Sequence, residues 1–197
     1  MNKMRASLLY DFSKEEIVES FKHAKELCVQ LQNLTVYSND YRKVISQLIP
    51  GIPNSSVVTP PFNCDHGHGI VLGENVFINC NCVFLDGGEI RIGKNTLIGP
   101  ACQFYTNQHP TDYLERRKPQ EVCLPITIGE DTWIGGSVVI LPGVTIGDRC
   151  IIAAGSLVMH DIPNDCVVAG SPAVIKRKLN KERSEERRVG KECTSWC

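Results

Sequence analysis

Residues 126–161 read ITIGEDTWIGGSVVILPGVTIGDRCIIAAGSLVMHD, and this stretch decides the fold. An α-helix needs apolar residues spaced by about 3.6 positions and an ordinary strand by about 2. The period here is six, which fits neither as one long element. It is typical of very short strands that turn after every sixth residue and stack as a parallel β-helix. The aliphatic residues that define the period, which we call the anchors, are Ile128, Ile134, Ile140, Ile146, Ile152 and Val158.

A second ladder of aliphatic or small residues stands two places before each of these positions. Its members are Ile126, Thr132, Val138, Val144, Cys150 and Ser156. Residues two apart on a strand point to the same side, so both ladders can face the interior. Gly129, Gly135 and Gly147 follow three of the anchors directly, and glycine permits turn conformations that other residues resist.

The same period occurs earlier in the chain, at Leu72, Ile78, Phe84, Ile92, Ile98 and Phe104. One step in that series spans eight residues, and its two extra residues fall within 86–89, which predicts a bulged corner. The period then breaks, because Ile128 stands 24 positions after Phe104, where six would continue the period. The polar insertion 107–124 contains His109. A long loop that leaves a regular solenoid is usually functional or disordered, and we favour function here.

The first third of the chain predicts helices. Ser13 and Glu16 form a capping-box pattern ahead of an apolar stripe that runs to about Leu31. A second helix is expected from Asp40 to Leu48, before Pro50. The expected organisation is therefore an N-terminal helical segment and linker (1–63), a β-helix domain (64–181) with the inserted loop 107–124, and a tail (182–197). The tail lacks any period and is expected to be disordered or non-native.

The composition argues against several classes of partner. The chain has 197 residues, 42% of them hydrophobic, and a net charge of −1. This balance gives no reason to expect nucleic acid or a membrane surface as partner, and no apolar run approaches the roughly 20 residues of a membrane helix. Of the ten cysteines, Cys82, Cys102 and Cys150 each stand two places before an anchor, where the side chain is expected to face the interior. Small buried thiols pack well in a core, which favours a reduced, cytoplasmic protein.

Histidine is the side chain best suited to proton transfer near neutral pH. His109 opens the large insertion and is our candidate base by position. His66 and His68 flank Gly67 and could ligate a metal, but the pattern supplies no third ligand. Asn79 follows an anchor where glycine is usual. It is either a hydrogen-bonded polar group or a structural corner, since asparagine accepts turn conformations.

Several segments together resemble one family. They are Asn107–Pro110, Pro125–Gly129, Trp133–Gly136, Leu141–Gly147 and Ala169–Ala173. The chain resembles the hexapeptide-repeat sugar O-acetyltransferases, which include the maltose, galactoside and nodulation-factor enzymes, from about Met4 to Lys178. The resemblance implies left-handed coils and a homotrimer with each active site between neighbouring chains. It also implies acetyl-CoA as co-substrate, a sugar hydroxyl as acceptor, and no metal.

The resemblance also implies roles for individual residues. The position of the family's catalytic base is His109, and Asn79 matches an asparagine at the reaction centre that would bind substrate and stabilise the oxyanion. Asp11 and Asp65 match acceptor-binding positions. The positions that line the CoA groove are Gly136, Ala154, Met159, His160 and Arg177.

The chain departs from the family pattern in ways that bear on the acceptor. His66 stands where tyrosine is common, and Met159-His160 replaces Thr-Lys, whereas Cys64-Asp65 favours the maltose-type branch. The alternatives are an acetyltransferase of another acceptor, such as serine, an amino sugar or an antibiotic, a metalloenzyme like the γ-carbonic anhydrases, and a non-catalytic scaffold. The metalloenzyme would need three histidines around zinc.

Overall fold

The structure is a computed structural model that describes residues 2–179, so the predicted tail at 182–197 lies outside the described residues. The helices in this range are α1 (Asn2–Arg5), α2 (Glu15–Gln32), α3 (Tyr41–Leu48) and α4 (Tyr113–Arg116). The two predicted N-terminal helices are therefore confirmed as α2 and α3. Both bury an apolar stripe, and they pack against each other and against the first coil.

The start of α2 differs from the predicted capping box. The residue that precedes the helix is Lys14, whose side chain makes no capping hydrogen bond. Ser13 instead donates its hydroxyl to Asp11, at 2.6 Å. Phe21 has the helical spacing of the apolar stripe, four residues after Ile17, but it is 41% exposed because it lies on the helix face that turns towards His66. The short aspartate–serine turn has replaced the cap.

Parallel strands form the three faces of a prism, and the chain passes from the first face to the second, then to the third. The first face contains β4 (Ile70–Leu72), β7 (Ile90–Ile92), β12 (Ile126–Ile128) and β15 (Thr145–Ile146). The second face contains β2 (Val57–Val58), β5 (Phe77–Ile78), β8 (Leu97–Ile98), β13 (Trp133–Ile134), β16 (Ile151–Ile152), β18 (Cys166–Ala169) and the antiparallel β19 (Val174–Lys178). The third face contains β3 (Phe62–Cys64), β6 (Cys82–Leu85), β9 (Gln103–Tyr105), β14 (Val139–Ile140) and β17 (Leu157–Val158).

The six-residue anchors stack on one another inside the prism. On the first face, Leu72 pairs in register with Ile92, which pairs with Ile128, and that residue pairs with Ile146. The anchors are almost wholly buried, and so are the residues two places before them, including Cys82, Cys102 and Cys150. Stacked short strands thus let every coil bury two residues per face. The predicted fold class, a mainly β parallel β-helix of hexapeptide repeats with N-terminal α-helices, is confirmed.

The corners between the faces use left-handed backbone conformations. Between the first and second faces, φ is positive at a non-glycine residue on each successive coil: Asn75, Asn95, Asp131, Arg149 and Asp165. Asparagine and aspartate tolerate this region better than most residues, because their short polar side chains form local hydrogen bonds. Asn95 also links neighbouring coils, since its amide accepts from Asn75 and donates to Asp131.

The solenoid begins within the segment expected to be a linker, because Val57–Val58 already pairs with Phe77–Ile78. The insertion 107–124 is not a bare loop. It contains β10 (Asn107–Gln108), α4 and β11 (Gln120–Cys123), and β11 also pairs with β1 (Tyr10–Asp11) near the N-terminus. This small antiparallel sheet stands outside the prism. Among the helices of residues 2–179, none has both the length and the hydropathy that a membrane crossing requires.

Candidate active site

His109 follows β10 at the base of the insertion. Its side chain is 52% exposed, and its Nε2 atom lies 3.7 Å from Oε2 of Glu121 on the neighbouring strand β11. The ring of Phe12 approaches the imidazole edge-on, with ring centroids 6.3 Å apart. The imidazole therefore has one side towards a carboxylate and an aromatic ring while the other side faces open space.

Glu121 is a buried carboxylate, with its side chain only 8% exposed. The hydroxyl of Tyr10 and the amide Nδ2 of Asn107, the latter at 3.1 Å, both donate to Oε1 of Glu121. Burial raises the pKa of Tyr10, and its hydrogen bonds to Cys123 and Glu121 raise that pKa further. The tyrosine thus stays a neutral donor to Glu121.

The strand β1 brings the N-terminus to this carboxylate. Tyr10 pairs with Glu121 and Asp11 with Gln120, and the backbone N–H of Phe12 donates to the carbonyl of Pro119 at 2.9 Å. Asp11 is exposed next to the insertion, where its carboxylate accepts hydrogen bonds from the hydroxyl and the N–H of Ser13. These two bonds hold the pKa of Asp11 below its usual value, so Asp11 is an anionic acceptor of hydrogen bonds.

A groove of about 390 Å³ opens beside β1 and β11. Its walls combine charged side chains with apolar ones, and they are formed by Lys3, Met4, Leu9, Tyr10, Asp11, Lys14, Glu16, Ile17 and Gln120. Mixed polar and apolar walls are typical of small-molecule sites, in which a few polar groups fix the orientation of the ligand. The groove includes Asp11, one of the residues predicted to bind the acceptor.

Asn79, Gly136 and Ala154 lie along one edge of the prism, between the second and third faces, which we call the second–third edge. Successive coils stack here through backbone hydrogen bonds, such as the one from the N–H of Gly155 to the carbonyl of Gly136 at 2.9 Å. The side-chain Oδ1 of Asn79 accepts the N–H of Cys80 at 2.8 Å. Because this bond occupies the amide oxygen of Asn79, it orients the side chain so that Nδ2 is the group that can donate to a ligand.

Asp65, His109, Met159 and His160 lie along the edge between the third and first faces, which we call the third–first edge. Met159 is 43% exposed and His160 is also exposed. Asp65 is half-buried and forms an ion pair of 3.2 Å with Lys25 of α2. Burial raises the pKa of Asp65, and Lys25 opposes that rise.

Arg177 is exposed on β19, where it pairs in register with Val167 beside the last coil of the second face. Most of the predicted site residues therefore lie along two edges of the prism, while Arg177 lies on the strand that follows the last coil. Within one chain the third face separates the second–third edge from the third–first edge, and its width of about six residues amounts to roughly 20 Å. One copy alone does not bring Asn79 and His109 into contact.

Sequence reasoning missed Glu121 and Tyr10. The only available signal for Glu121 was an acidic residue twelve positions after the candidate base, inside a segment rich in charges. Its burial depends on β1, which lies more than a hundred residues earlier in the chain. Within residues 2–179, no three His, Cys, Asp or Glu side chains form a group that could hold a metal ion.

Comparison with known proteins places the chain in a family. The sequence model of the family "Bacterial transferase hexapeptide (six repeats)" matches residues 125–160. A maltose O-acetyltransferase from Clostridium difficile is 36% identical, with 91% of this chain and 96% of that chain covered and a TM-score of 0.87. A hexapeptide-repeat acetyltransferase from Vibrio cholerae, solved with acetyl-CoA, is 40% identical, with 91% and 98% covered and a TM-score of 0.85.

A galactoside acetyltransferase solved with coenzyme A is 31% identical, with 93% of this chain and 92% of that chain covered and a TM-score of 0.84. These similarities extend over nearly the whole length of each protein. The sequence period, the three-faced prism and these relatives agree, and the chain belongs to the hexapeptide-repeat acetyltransferases.

Proposed function

We propose that the protein transfers an acetyl group from acetyl-CoA to a hydroxyl of a sugar acceptor, with His109 as general base. The observation that carries the proposal is the placement of His109, half-exposed and 3.7 Å from the buried carboxylate of Glu121. An imidazole that takes a proton becomes a cation, and the nearby carboxylate stabilises that cation. The relatives solved with acetyl-CoA and with CoA support the choice of donor.

In the proposed reaction, His109 removes the proton of the acceptor hydroxyl while the hydroxyl oxygen attacks the thioester carbon. Negative charge then develops on the carbonyl oxygen, and Nδ2 of Asn79 donates to it. The C–S bond breaks, the acetyl group remains on the acceptor, and CoA leaves with the proton. General-base assistance contributes roughly 10²–10⁴-fold to the rate, and one oxyanion donor about 3 kcal/mol.

We infer that each site is completed by a second copy of the chain, because Asn79 and His109 stand on different edges. The outward side chains of the second face support this inference. Phe77, Leu97, Trp133 and Ile151 form a continuous stripe in register, and the first three are 38–56% exposed. Large exposed apolar patches mark association surfaces. A homotrimer, as the resemblance implies, would cover the stripe and bring the third–first edge of one copy to the second–third edge of the next.

The remaining residues take their roles from this arrangement. Gly136 and Ala154 are small, which allows the pantetheine arm to approach the backbone of the second–third edge, and Arg177 would pair with a phosphate of CoA. Met159 and His160 would line the same groove from the other copy. Asp11 and Asp65 would accept hydrogen bonds from hydroxyls of the acceptor.

The test is release of free CoA thiol from acetyl-CoA with a panel of maltose-type sugars, galactosides, amino sugars and serine. We expect turnover with a sugar, and a fall in kcat of at least about a hundredfold in His109→Ala with the assembly intact. The exposed His23 on α2 provides the control, since His23→Ala should leave kcat unchanged. Turnover in His109→Ala equal to that of the wild type would remove His109 from the mechanism. If only serine or only an amino sugar supports turnover, that compound class is the acceptor in place of the proposed sugar.

A further inference from the structure

Two cysteines outside the proposed active site meet where α2 lies on the first coil. Cys28 of α2 and Cys64 of β3 place their Sγ atoms 3.9 Å apart, and they hydrogen-bond to each other. Both residues are almost fully buried, at 3% and 0% exposure. A disulfide has an S–S distance of about 2.05 Å and bridges side chains whose Cβ atoms are about 4 Å apart. The thiols therefore need to approach by only about 2 Å.

A positive charge lies beside this pair. Lys25, one turn before Cys28 on α2, donates its ammonium group to the carbonyl of Cys64 at 2.7 Å. The hydrogen bond from Cys64 lowers the pKa of Cys28 to about 7, and Lys25 contributes to the lowering. A thiolate, and not a thiol, is the nucleophile in sulfur chemistry. Cys28 is thus the attacking sulfur and Cys64 the second, resolving sulfur.

The stacked cysteines of the prism interior provide a contrast. Cys82 begins β6 and Cys102 directly precedes β9, the neighbouring strand, but the thiol of Cys102 donates to the carbonyl of Gly135 at 3.1 Å. The thiol of Cys82 lies 3.4 Å from the carbonyl of Gly99. The bond between these two thiols raises the pKa of Cys82 and lowers that of Cys102, as the bond between Cys64 and Cys28 does in the first pair. The second pair differs in its geometry, because backbone carbonyls hold both of its thiols inside the coils.

We propose that Cys28 and Cys64 form a thiol-oxidation site, which a small peroxide converts into a disulfide that ties α2 to the first coil. The thiolate of Cys28 attacks one oxygen of hydrogen peroxide, the O–O bond breaks, and Cys28 becomes a sulfenic acid with release of hydroxide. The sulfur of Cys64 attacks the sulfenic sulfur, and the S–O bond breaks to release a second hydroxide. The two thiol protons convert both hydroxides to water, so peroxide is reduced and the two sulfurs are oxidised.

The cysteine pair lies at the junction between two parts of the fold. The disulfide would join a helix of the N-terminal segment to the first strand of the third face, and it would link two cysteines that are 36 positions apart in the sequence. A cross-link between distant positions restricts the unfolded chain more than the folded one. Oxidation is therefore expected to raise the midpoint of thermal unfolding.

The experiment treats the full chain with limiting hydrogen peroxide and maps its peptides without reduction. Cys193→Ser/Cys197→Ser serves as the background, because these two cysteines lie outside the described residues. We expect a linked peptide joining Cys28 to Cys64 to dominate, with a rise in unfolding temperature that a thiol reductant reverses. The linked peptide should disappear in Cys28→Ser and persist in Cys82→Ser.

Lys25→Gln should slow formation of the link several-fold near pH 7, whereas Lys22→Gln should not, since Lys22 pairs with the exposed Glu19. Peptide mapping of the unsubstituted cysteine pair requires no core substitution, so a folding failure of a variant does not obscure the result. A map dominated by a Cys82–Cys102 link would overturn the proposal. So would accumulation of sulfinic acid on Cys28 without any cross-link.

Discussion

Glu121 is the residue on which the electrostatics of the candidate site depend. A buried carboxylate is costly unless donors satisfy it, and here the hydroxyl of Tyr10 and the amide of Asn107 do so. Both donors bind the same oxygen, Oε1, while Oε2 is the oxygen nearer to His109. The arrangement places an uncommitted carboxylate oxygen beside the candidate base. It thus resembles the pairing of base and orienting acid found in many hydrolytic and transfer enzymes.

This geometry makes a prediction for Glu121→Gln. The substitution keeps the size of the side chain but removes the charge that stabilises protonated His109. We expect kcat to fall by about tenfold or more, while KM for acetyl-CoA changes little, because the carboxylate acts on the transition state through His109. Steady-state kinetics in both substrates measure the two constants separately.

Glu115→Gln provides the matched control on the same insertion, since Glu115 is exposed and pairs with Lys118. Its kcat should equal that of the wild type. A Glu121→Gln enzyme with unchanged kcat and a raised KM for acetyl-CoA would instead assign Glu121 to donor binding.

At the scale of elements, the sequence predicts the solenoid far better than the sheet outside it. Each coil repeats the same short sequence pattern, with an anchor every six residues, so the segment from Ile126 to Asp161 is almost sufficient to predict the architecture. The pairing of Tyr10–Asp11 with β11 has no such periodic signal. Two-residue strands carry no alternation, and this pairing joins segments separated by more than a hundred residues. The break in the period therefore drew attention to the candidate base, His109, whereas nothing in the sequence indicated the carboxylate beside it.

The junction between the N-terminal segment and the first coil shows the same limit. Arginine only donates, so Arg5 fixes Nδ1 of His68 as an acceptor at 2.8 Å. The Nε2–H of His68 then donates to the hydroxyl of Ser20, which also hydrogen-bonds Nδ1 of His66 at 2.9 Å. The bond from Arg5 requires the imidazole of His68 to be neutral. The sequence placed the two histidines around Gly67 but gave no sign of their partners.

The junction predicts a dependence of stability on pH. Burial lowers the pKa of His66 to about 4 from its ordinary 6.5, and burial also lowers the pKa of His68. Asp86 opposes these shifts, whereas Arg5 adds to them. Between about pH 4 and 6.5 the unfolded chain therefore binds more protons than the folded one. The free energy of unfolding should fall as pH falls through this window, by at most about 1.4 kcal/mol per pH unit for His66.

Urea unfolding at pH 7, 6 and 5 measures this slope. His66→Asn should flatten it, because asparagine does not titrate, while the exposed His23→Asn should leave it as in the wild type. A slope that is the same in all three proteins would show that the loss of stability comes from other groups.

At the scale of the whole molecule, the apolar stripe on the second face predicts the mode of assembly. Trp133 is 56% exposed in one copy and stands in the middle of the stripe. Trp133→Lys would place a charge in the inferred contact between copies. We expect it to shift the protein from trimer to monomer in analytical ultracentrifugation, with loss of acetyl transfer, since burying an unpaired charge at an interface is costly.

Thr127→Lys is the control, because Thr127 occupies the equivalent outward position on the first face. That variant should remain trimeric and active. A Trp133→Lys protein that stays trimeric would place the contact between copies on another face.

The central claim is that Asn79 of one copy and His109 of another act in the same site. Mixing subunits tests it most directly: Asn79→Ala and His109→Ala proteins, each inactive alone, are unfolded, combined in equal amounts and refolded together. Random assembly should restore about a quarter of the wild-type acetyl transfer, because that share of sites unites an intact Asn79 with an intact His109. A mixed protein that forms trimers but remains as inactive as its two parents would contradict the claim.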